Sequence, residues 1–328
     1  MPPVKISVAM CTYNGAPFLP AQLESIIAQS RLADEIVICD DGSTDQTRAL
    51  LEQFAAAAPI PVSLHFNEQN LGSLKNFEQA IRMCNGDVIA LSDQDDVWRK
   101  DKLQLIEQVF QKTPAAGLVF SDAELVDENL KPLDRGMWDA VGFDAHKRKL
   151  VGTGRALEVL ITGWTVTGAT MAFRSEFVKL SLPVPEGIAM IHDGWIALTI
   201  AAVADVVIIE EPLIKYRQHG KQQIGAPKRV QTATDQPRGM EALRRRNSSA
   251  DLHKILAALE ERLVAQGSVY DTRNALSFVA NYSFHLNVRA NLPQRRLNRL
   301  PGILRELLTL RYHEYANGFK SAAKDLVS

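Results

Sequence analysis

Glu35-Ile36-Val37-Ile38-Cys39-Asp40-Asp41-Gly42-Ser43-Thr44-Asp45-Gln46 is an apolar, β-branched run that passes without a spacer into carboxylates, a glycine and hydroxyls. A continuous apolar stretch this short fits a strand covered on both faces, and the polar residues behind it fit the loop at its carboxyl end. The pattern recurs on either side. Residues 6–11, 62–66, 87–91 and 117–120 are further predicted strands. Between them, 18–29, 44–57, 74–83 and 100–111 space their apolar side chains by three and four, as Leu103, Ile106 and Phe110 do, which predicts amphipathic helices. Such alternation predicts an α/β fold with a Rossmann-like, mostly parallel central sheet flanked by helices. Ligands on such sheets bind beyond the strands' carboxyl ends. Three polar clusters fall there and are expected to converge on one edge: Thr12-Tyr13-Asn14-Gly15, Asp40-Asp41-Gly42-Ser43 and Ser92-Asp93-Gln94-Asp95-Asp96.

Farther along, 122–160 is irregular, 165–173 is a predicted strand, 194–204 a helix, and 206–209 and 213–216 two short strands. Residues 220–240, rich in Gln, Gly, Pro and Thr, predict a loop or linker. Everything beyond is predicted helical. Leu252, Ile255, Leu256, Leu259 and Leu263 form one apolar stripe, while Leu297, Leu300, Ile303, Leu304 and Leu307 form a second that Pro301 interrupts.

Composition narrows the class. The chain has 328 residues, 46% hydrophobic and 23% charged, which is ordinary for a globular protein with one large domain and an appendage, or with two domains. Cys11, Cys39 and Cys84 lack a CxxC spacing, so no disulfide framework or sulfur-rich zinc site is expected, and a reducing compartment is. No apolar run reaches membrane-spanning length and no signal peptide is evident, so the expected location is cytoplasmic. The net charge of −1 hides an asymmetry: residues 1–227 hold 20 Lys+Arg against 29 Asp+Glu, or −9, and residues 228–328 hold 17 against 9, or +8. A basic tail of this kind suits an anionic membrane surface or nucleic acid, or is a solvated helical face.

The acidic cluster carries most of the chemistry. Asp93, Asp95 and Asp96 repel one another and call for a cation, and the Asp93-x-Asp95 spacing lets alternate side chains reach one side of a turn. Mg²⁺ or Mn²⁺ fits, since either takes one or two carboxylates and fills the remaining positions with phosphate oxygens and water. The competing reading makes the cluster an acidic cap, with Asp96 opening a helix near Arg99. Ser43 followed by Gln46 matches a capping box. Asp40 and Asp41 are not explained by capping, and a carboxylate at a strand end suits a nucleobase imide or a ribose hydroxyl.

Val8 to Asn14, Asp40-Asp41-Gly42-Ser43-Thr44-Asp45, Asn70-Leu71-Gly72 with Asn76, Leu91 to Trp98, His192-Asp193-Gly194-Trp195 and Tyr216-Arg217-Gln218-His219-Gly220 stand in one order. In this the first 225 or so residues resemble the family 2 glycosyltransferases of the glycosyltransferase A fold. The wording around Asp93 and His219 is most similar to bacterial rhamnosyltransferases that use dTDP-L-rhamnose to build surface polysaccharides. The resemblance implies a catalytic domain over 1–227 and a basic helical region over 228–328. Thr12, Tyr13, Asn14, Asp41, Asn70, Asn76, Asp93, Gln94 and Arg217 would then bind the nucleotide-sugar, with Tyr13 stacking on the base and Asp41 reading a pyrimidine imide. Asp95, with Asp93 and His219, would hold Mg²⁺ or Mn²⁺, which offsets the charge on the leaving diphosphate. For Asn70 and Asn76, a turn residue and a helix-surface amide are equally good readings.

Asp193 is the implied base. An inverting transfer needs one carboxylate to take the acceptor hydroxyl's proton, and none to act as acid. Asp122 and Glu186 remain alternatives, and an N-cap role for Asp193 is compatible with the basic one. Gly168 and Ala169 would leave room for the acceptor. The family commonly has Asn a few residues after the histidine, where this chain has Gly220-Lys221-Gln222-Gln223, and this loop's composition suits a lid. The implied acceptor is a saccharide, or a saccharide on a lipid diphosphate at the cytoplasmic leaflet. Arg244-Arg245-Arg246 and Arg295-Arg296 with Arg299 would favour that membrane surface, and the apolar stripes could serve a homodimer.

Other classes have less support. Neither a GxGxxG nor a Walker loop is present, His313-Glu314 does not continue to HExxH, and the aromatic stripes of single-strand nucleic-acid platforms are missing, so no nucleic-acid partner is expected. Two alternatives stay open: transfer of glucose, galactose or N-acetylglucosamine from UDP, and a non-catalytic scaffold of a polysaccharide assembly complex.

Overall fold

The computed structural model describes residues 4–161, 165–220, 222 and 249–327. They fall into two compact units, one within Met1–Glu186 and Met190–Arg246 and the other within Gly187–Ala189 and Asn247–Ser328. The expected boundary at 227, most of the 220–240 loop and Arg244 to Arg246 lie outside the described residues. Among the described residues, no helix is long and apolar enough to cross a membrane.

The first unit is built on β1 (Ile6–Thr12), β2 (Glu35–Asp40), β3 (Val62–Phe66) and β4 (Val88–Ser92), all parallel and ordered 3-2-1-4. Their connecting helices are α1 (Leu19–Ile27), α2 (Thr47–Ala57) and α3 (Ser73–Met83). Every residue of β1 and β4 is buried, as unbroken apolar strands in a two-sided sheet must be. β3 lies at the sheet's edge and is at most half-buried. β4 leads through the acidic loop into β5 (Val97–Trp98) and α4 (Lys102–Lys112).

The sheet continues with β8 (Met171–Arg174), antiparallel to both neighbours, then β6 (Ala116–Val126), β9 (Asp205–Arg217) and β5, while β7 (Pro132–Gly136) hangs from β6. Short helices α5 (Met137–Val141), α6 (Ala145–Gly152), α7 (Ala156–Leu160) and α8 (Val178–Ser181) fill the connections, and α9 (His192–Ala201) follows.

Several local expectations need correction. The two short strands at 206–209 and 213–216 are one, β9, because irregular pairing at Asp122 opposite Pro212 absorbs the proline without ending the ladder. β6 runs six residues past the predicted end at Phe120 for the same reason. The strand predicted over 165–173 is instead a 3-10 turn, Gly168–Thr170, followed by β8, since the Gly168 N–H bonds the Asp193 carboxylate and Thr170 Oγ1 bonds Thr167 O. The Ser43–Gln46 capping box does not form: α2 starts at Thr47, while the Ser43 hydroxyl donates to Asp40 and accepts from Asn14 N. Asp96 opens no helix; Asp101 is the N-cap of α4 and Asp96 is fully buried.

The second unit is helical: α10 (Ser249–Gln266), α11 (Arg273–Ala290), α12 (Arg296–Leu308), α13 (Arg311–Tyr315) and α14 (Phe319–Val327). Ile255, Leu256, Leu259 and Leu263 of α10 are buried as the stripe predicts. Pro301 does not stop α12, which continues through it. Inside, Glu306 accepts from His285 Nδ1 (2.7 Å) and Arg311 Nη1 (3.1 Å), while Asp325 accepts from Arg289 and Tyr312.

Candidate active site

The loops after β1, β2 and β4 are stitched together by their own polar side chains. Thr12 Oγ1 donates to Asp40 Oδ1 (2.7 Å), Ser43 N donates to Asp40 Oδ2 (2.9 Å), and Thr44 N donates to Asn14 Oδ1 (2.8 Å). Asn14 has φ +48°, a left-handed conformation that asparagine tolerates. Gln94 clamps the backbone of Tyr13, accepting from its N–H (2.8 Å) and donating to its carbonyl (3.0 Å). The Tyr13 ring is thus fixed at its root and left 47% exposed, free to meet a planar base.

Asp41 is buried and accepts from Asn67 Nδ2 (3.0 Å), Leu71 N (2.8 Å) and Gly72 N (2.9 Å). It therefore shapes the loop before α3, where Gly72 has φ +84°. Asn70 donates to Asp41 O, and Asn76 is buried with its amide shared between Cys39 O and Asn67. Buried at 1% exposure, Asn76 is not the helix-surface amide of one sequence reading.

The acidic loop converges with α9 and β9. The Asp193 carboxylate is held by two backbone donors, Gly168 N to Oδ2 (3.0 Å) and Gly194 N to Oδ1 (2.6 Å), in the first turn of α9. Burial pushes Asp193 up to about 6 despite both donors. Burial also lifts Asp93 to about 7, followed by repulsion from Asp95 and from Asp193, which places these carboxylates in one electrostatic cluster. Asp95 Oδ2 lies 2.8 Å from His219 Nε2. The His219 ring packs on Phe18 at 4.4 Å, and the Arg217 guanidinium sits 4.9 Å from the same ring. Arg217 Nε donates to Asp95 O (2.7 Å) and Nη1 to Glu128 O (2.6 Å), so this guanidinium fixes the acidic loop to β9. His192 stacks on Phe77 at 4.2 Å, and burial pushes it down to about 3, so it stays neutral beside Asp193.

The alternative bases are placed differently. Asp122 Oδ1 accepts from Ala123 N and Trp138 N, which ties it to the start of α5, and Glu186 is exposed.

Among the described residues, no group of three His, Cys, Asp or Glu side chains is assembled as a metal cage. Asp95 and His219 form a two-donor corner next to Asp93, which burial raises first, repulsion from Asp95 and Asp193 raises further, and Lys102 only partly offsets. Oxygen donors with one imidazole suit Mn²⁺ or Mg²⁺ when phosphate oxygens and water complete the shell, so the residues fit a divalent cation.

Lys102 belongs to the site and was not singled out from the sequence. It is fully buried; Nζ donates to Ala169 O (2.6 Å) and lies 3.7 Å from the Trp98 ring centroid. Burial lowers it to about 7, against the pull of Asp96 and Asp93. Its spacing was the available signal, since Lys102, Ile106 and Phe110 follow i, i+4, i+8 on the apolar face of α4. Lys102→Met removes the donor to Ala169 O, and the buried carbonyl left unmatched is expected to cost ~1 to 3 kcal/mol. Because burial lowers Lys102 to about 7, the fold prefers the lysine neutral, and its share of the wild-type stability rises as pH goes from about 7 to about 10. The variant should lack this rise. Urea melts of both proteins at pH 7 and pH 9 test this, and an equal pH slope in the two would rule out the electrostatic account.

The profile of Glycosyl transferase family 2 matches residues 7–179. An uncharacterized glycosyltransferase of Nostoc sp. is 31% identical over 220 residues, 66% of this chain and 66% of that protein. The chain thus spans slightly under two thirds of that relative's length. The dTDP-rhamnosyl transferase RfbG of Shigella flexneri is 28% identical over 232 residues, 66% of this chain and 74% of that protein. The crystal structure of S. aureus TarS in complex with UDP-GlcNAc superposes with a TM-score of 0.57 at 14% identity, covering 98% of this chain and 90% of that one, and so shares the glycosyltransferase A type of fold.

Proposed function

Because this chain belongs to glycosyl transferase family 2, we propose that it is an inverting, cation-dependent glycosyltransferase that moves L-rhamnose from dTDP-L-rhamnose to a hydroxyl of a growing surface polysaccharide or lipid-linked oligosaccharide. The observation that carries the reading is the Asp193 carboxylate, held by two backbone N–H groups and coupled electrostatically to Asp93 in the acidic loop. Rhamnose is favoured by the likeness to RfbG.

In this mechanism Tyr13 stacks on the base, and Asp93, Asp95 and His219 face the diphosphate. The cation, when bound by Asp95 with His219 and Asp93, supplies positive charge against the charge growing on the leaving diphosphate. Asp193 accepts the acceptor hydroxyl's proton at its carboxylate while that oxygen attacks the anomeric carbon from the opposite face. Gly168 N–H and Gly194 N–H keep the carboxylate aimed and partly ionised. Gly168 leaves space there; a Cβ on it would stand 3.7 Å from Asp193 Oδ2. The same reading places the enzyme in the cytoplasm, peripheral on the membrane's inner face where lipid-linked acceptors lie.

A UDP-sugar donor is the second reading, favoured by the fold shared with a UDP-GlcNAc complex. Thymine and uracil differ by one methyl, a difference a pocket distinguishes by only ~1 to 3 kcal/mol. A thermal-shift screen of dTDP-L-rhamnose, UDP-glucose, UDP-galactose and UDP-N-acetylglucosamine, each with and without Mn²⁺, separates them. A ligand at about 100 times its Kd adds ~2.7 kcal/mol to apparent stability. The expected result is the largest shift with dTDP-L-rhamnose plus Mn²⁺; a larger shift with a UDP-sugar replaces the donor. Binding of any of them without transfer or donor hydrolysis would favour the scaffold.

A further inference from the structure

Among the described residues of its unit, the outer face of α12 has no partner. Leu297 is 79% exposed, Leu300 37%, Leu304 53% and Leu308 85%, and Pro301 beside them is also exposed. At 100° per residue these five positions fall within an arc of roughly 100°. The opposite face is anchored by Ile303, 4% exposed, and Glu306, 0%. The leucine face is therefore continuous, more than two turns long and turned outward from a helix held firmly from behind.

Its flanks are basic. Arg295, Arg296 and Arg305 are exposed, and α12 has no exposed acid, because Glu306 is buried and committed to His285 and Arg311. Asp325 of α14 is bound to Arg289 and Tyr312. An apolar stripe rimmed by cations matches a helix lying in the headgroup region, with leucines inserted and guanidinium groups on lipid phosphates. A second copy set face to face would bring these arginines against their equivalents with no acid on either helix to pair them.

We propose that the Leu297–Leu308 face of α12 is the surface by which this protein docks on an anionic lipid bilayer. The proposal deepens the membrane-side part of the functional reading and rests on that part alone, not on the donor or on Asp193.

The test is co-sedimentation of the full chain with vesicles of phosphatidylcholine, alone or mixed with phosphatidylglycerol, at low and high salt, with light scattering on the free protein. The wild-type chain is expected to sediment with the phosphatidylglycerol vesicles and to lose much of that binding at high salt. The double variant Leu304→Glu, Leu308→Glu changes exposed residues only and should melt as the wild type does, while its partitioning falls at least roughly tenfold. Arg295→Glu with Arg296→Glu should erase the preference for anionic lipid. Absence of wild-type binding, or unchanged binding of the leucine variant, overturns the proposal. So does a wild-type dimer that the leucine variant turns into a monomer, since the face then belongs to a second copy. Donor hydrolysis by the leucine variant should match the wild type, so failure of the docking surface leaves the transfer chemistry standing.

Discussion

Asp193→Asn is expected to remove sugar transfer while nucleotide affinity stays near the wild-type value. The substitution keeps the size and branching of the side chain, and no nucleotide-facing loop after β1, β2 or β4 is held by Asp193. What disappears is the proton acceptor, and loss of general-base assistance typically costs ~10²- to 10⁴-fold in rate. One of the two N–H donors, Gly168 or Gly194, must then face the amide NH₂ of asparagine. A buried donor left unmatched costs ~1 to 3 kcal/mol, so the variant is expected to melt a few degrees lower yet fold. If nucleotide affinity collapses along with turnover, Asp193 is a structural residue and the base lies elsewhere.

The same residue fixes a pH signature. Burial raises Asp193 to about 6 in the fold. Transfer needs the ionised form, so kcat/KM should drop about tenfold per unit as pH falls below 6. Stability runs the other way. A carboxyl whose pKa is raised by folding prefers to be neutral there, so its contribution is complete below its unfolded pKa of about 4 and is lost as pH rises through about 6. Activity and the Asp193 share of stability therefore move in opposite directions between pH 4 and 6, and Asp193→Asn should flatten this share.

The alternating half of the fold was legible because its signals are local. β1, β2 and β4 are unbroken apolar runs, and each polar cluster follows its strand directly, so sequence order alone brings the loops to one edge. What escaped depended on distant partners. The turn at Gly168–Thr170 replaces a strand because its first N–H is claimed by Asp193, 25 residues away. Lys102 is tolerated in the core only beside Asp93 and Asp96, whose burial is invisible in a loop sequence. Asp41 looks free at a strand end, yet Leu71 N and Gly72 N, 30 and 31 residues on, fill much of its carboxylate. β6 and β9 were cut short in sequence because Asp122, Glu124 and Pro212 look like strand ends, whereas irregular pairing carries the ladder past them.

Asp95→Ala should uncouple nucleotide binding from the divalent cation. Asp95 is the carboxylate paired with His219, and the backbone tie from Arg217 Nε goes to its carbonyl, which alanine retains. The acidic loop should keep its course, and removing one of several mutually repelling carboxylates relieves Asp93, whose pKa is raised first by burial and next by Asp95. The variant is accordingly expected to fold, and to be no less stable than the wild type above pH 7. Function is another matter. Charge stabilisation by a bound cation is worth several kcal/mol in such transfers, and each ~1.4 kcal/mol is tenfold, so a loss of roughly 10²- to 10³-fold in turnover follows. Titration calorimetry with a nucleoside diphosphate, with and without Mn²⁺, gives the decisive ratio. In the wild type Mn²⁺ should tighten binding, and in the variant the two affinities should become nearly equal. An unaltered Mn²⁺ effect would take Asp95 out of the cation site and leave the acidic loop as a structural device, held by Lys102 and Arg217 for reasons unrelated to a diphosphate.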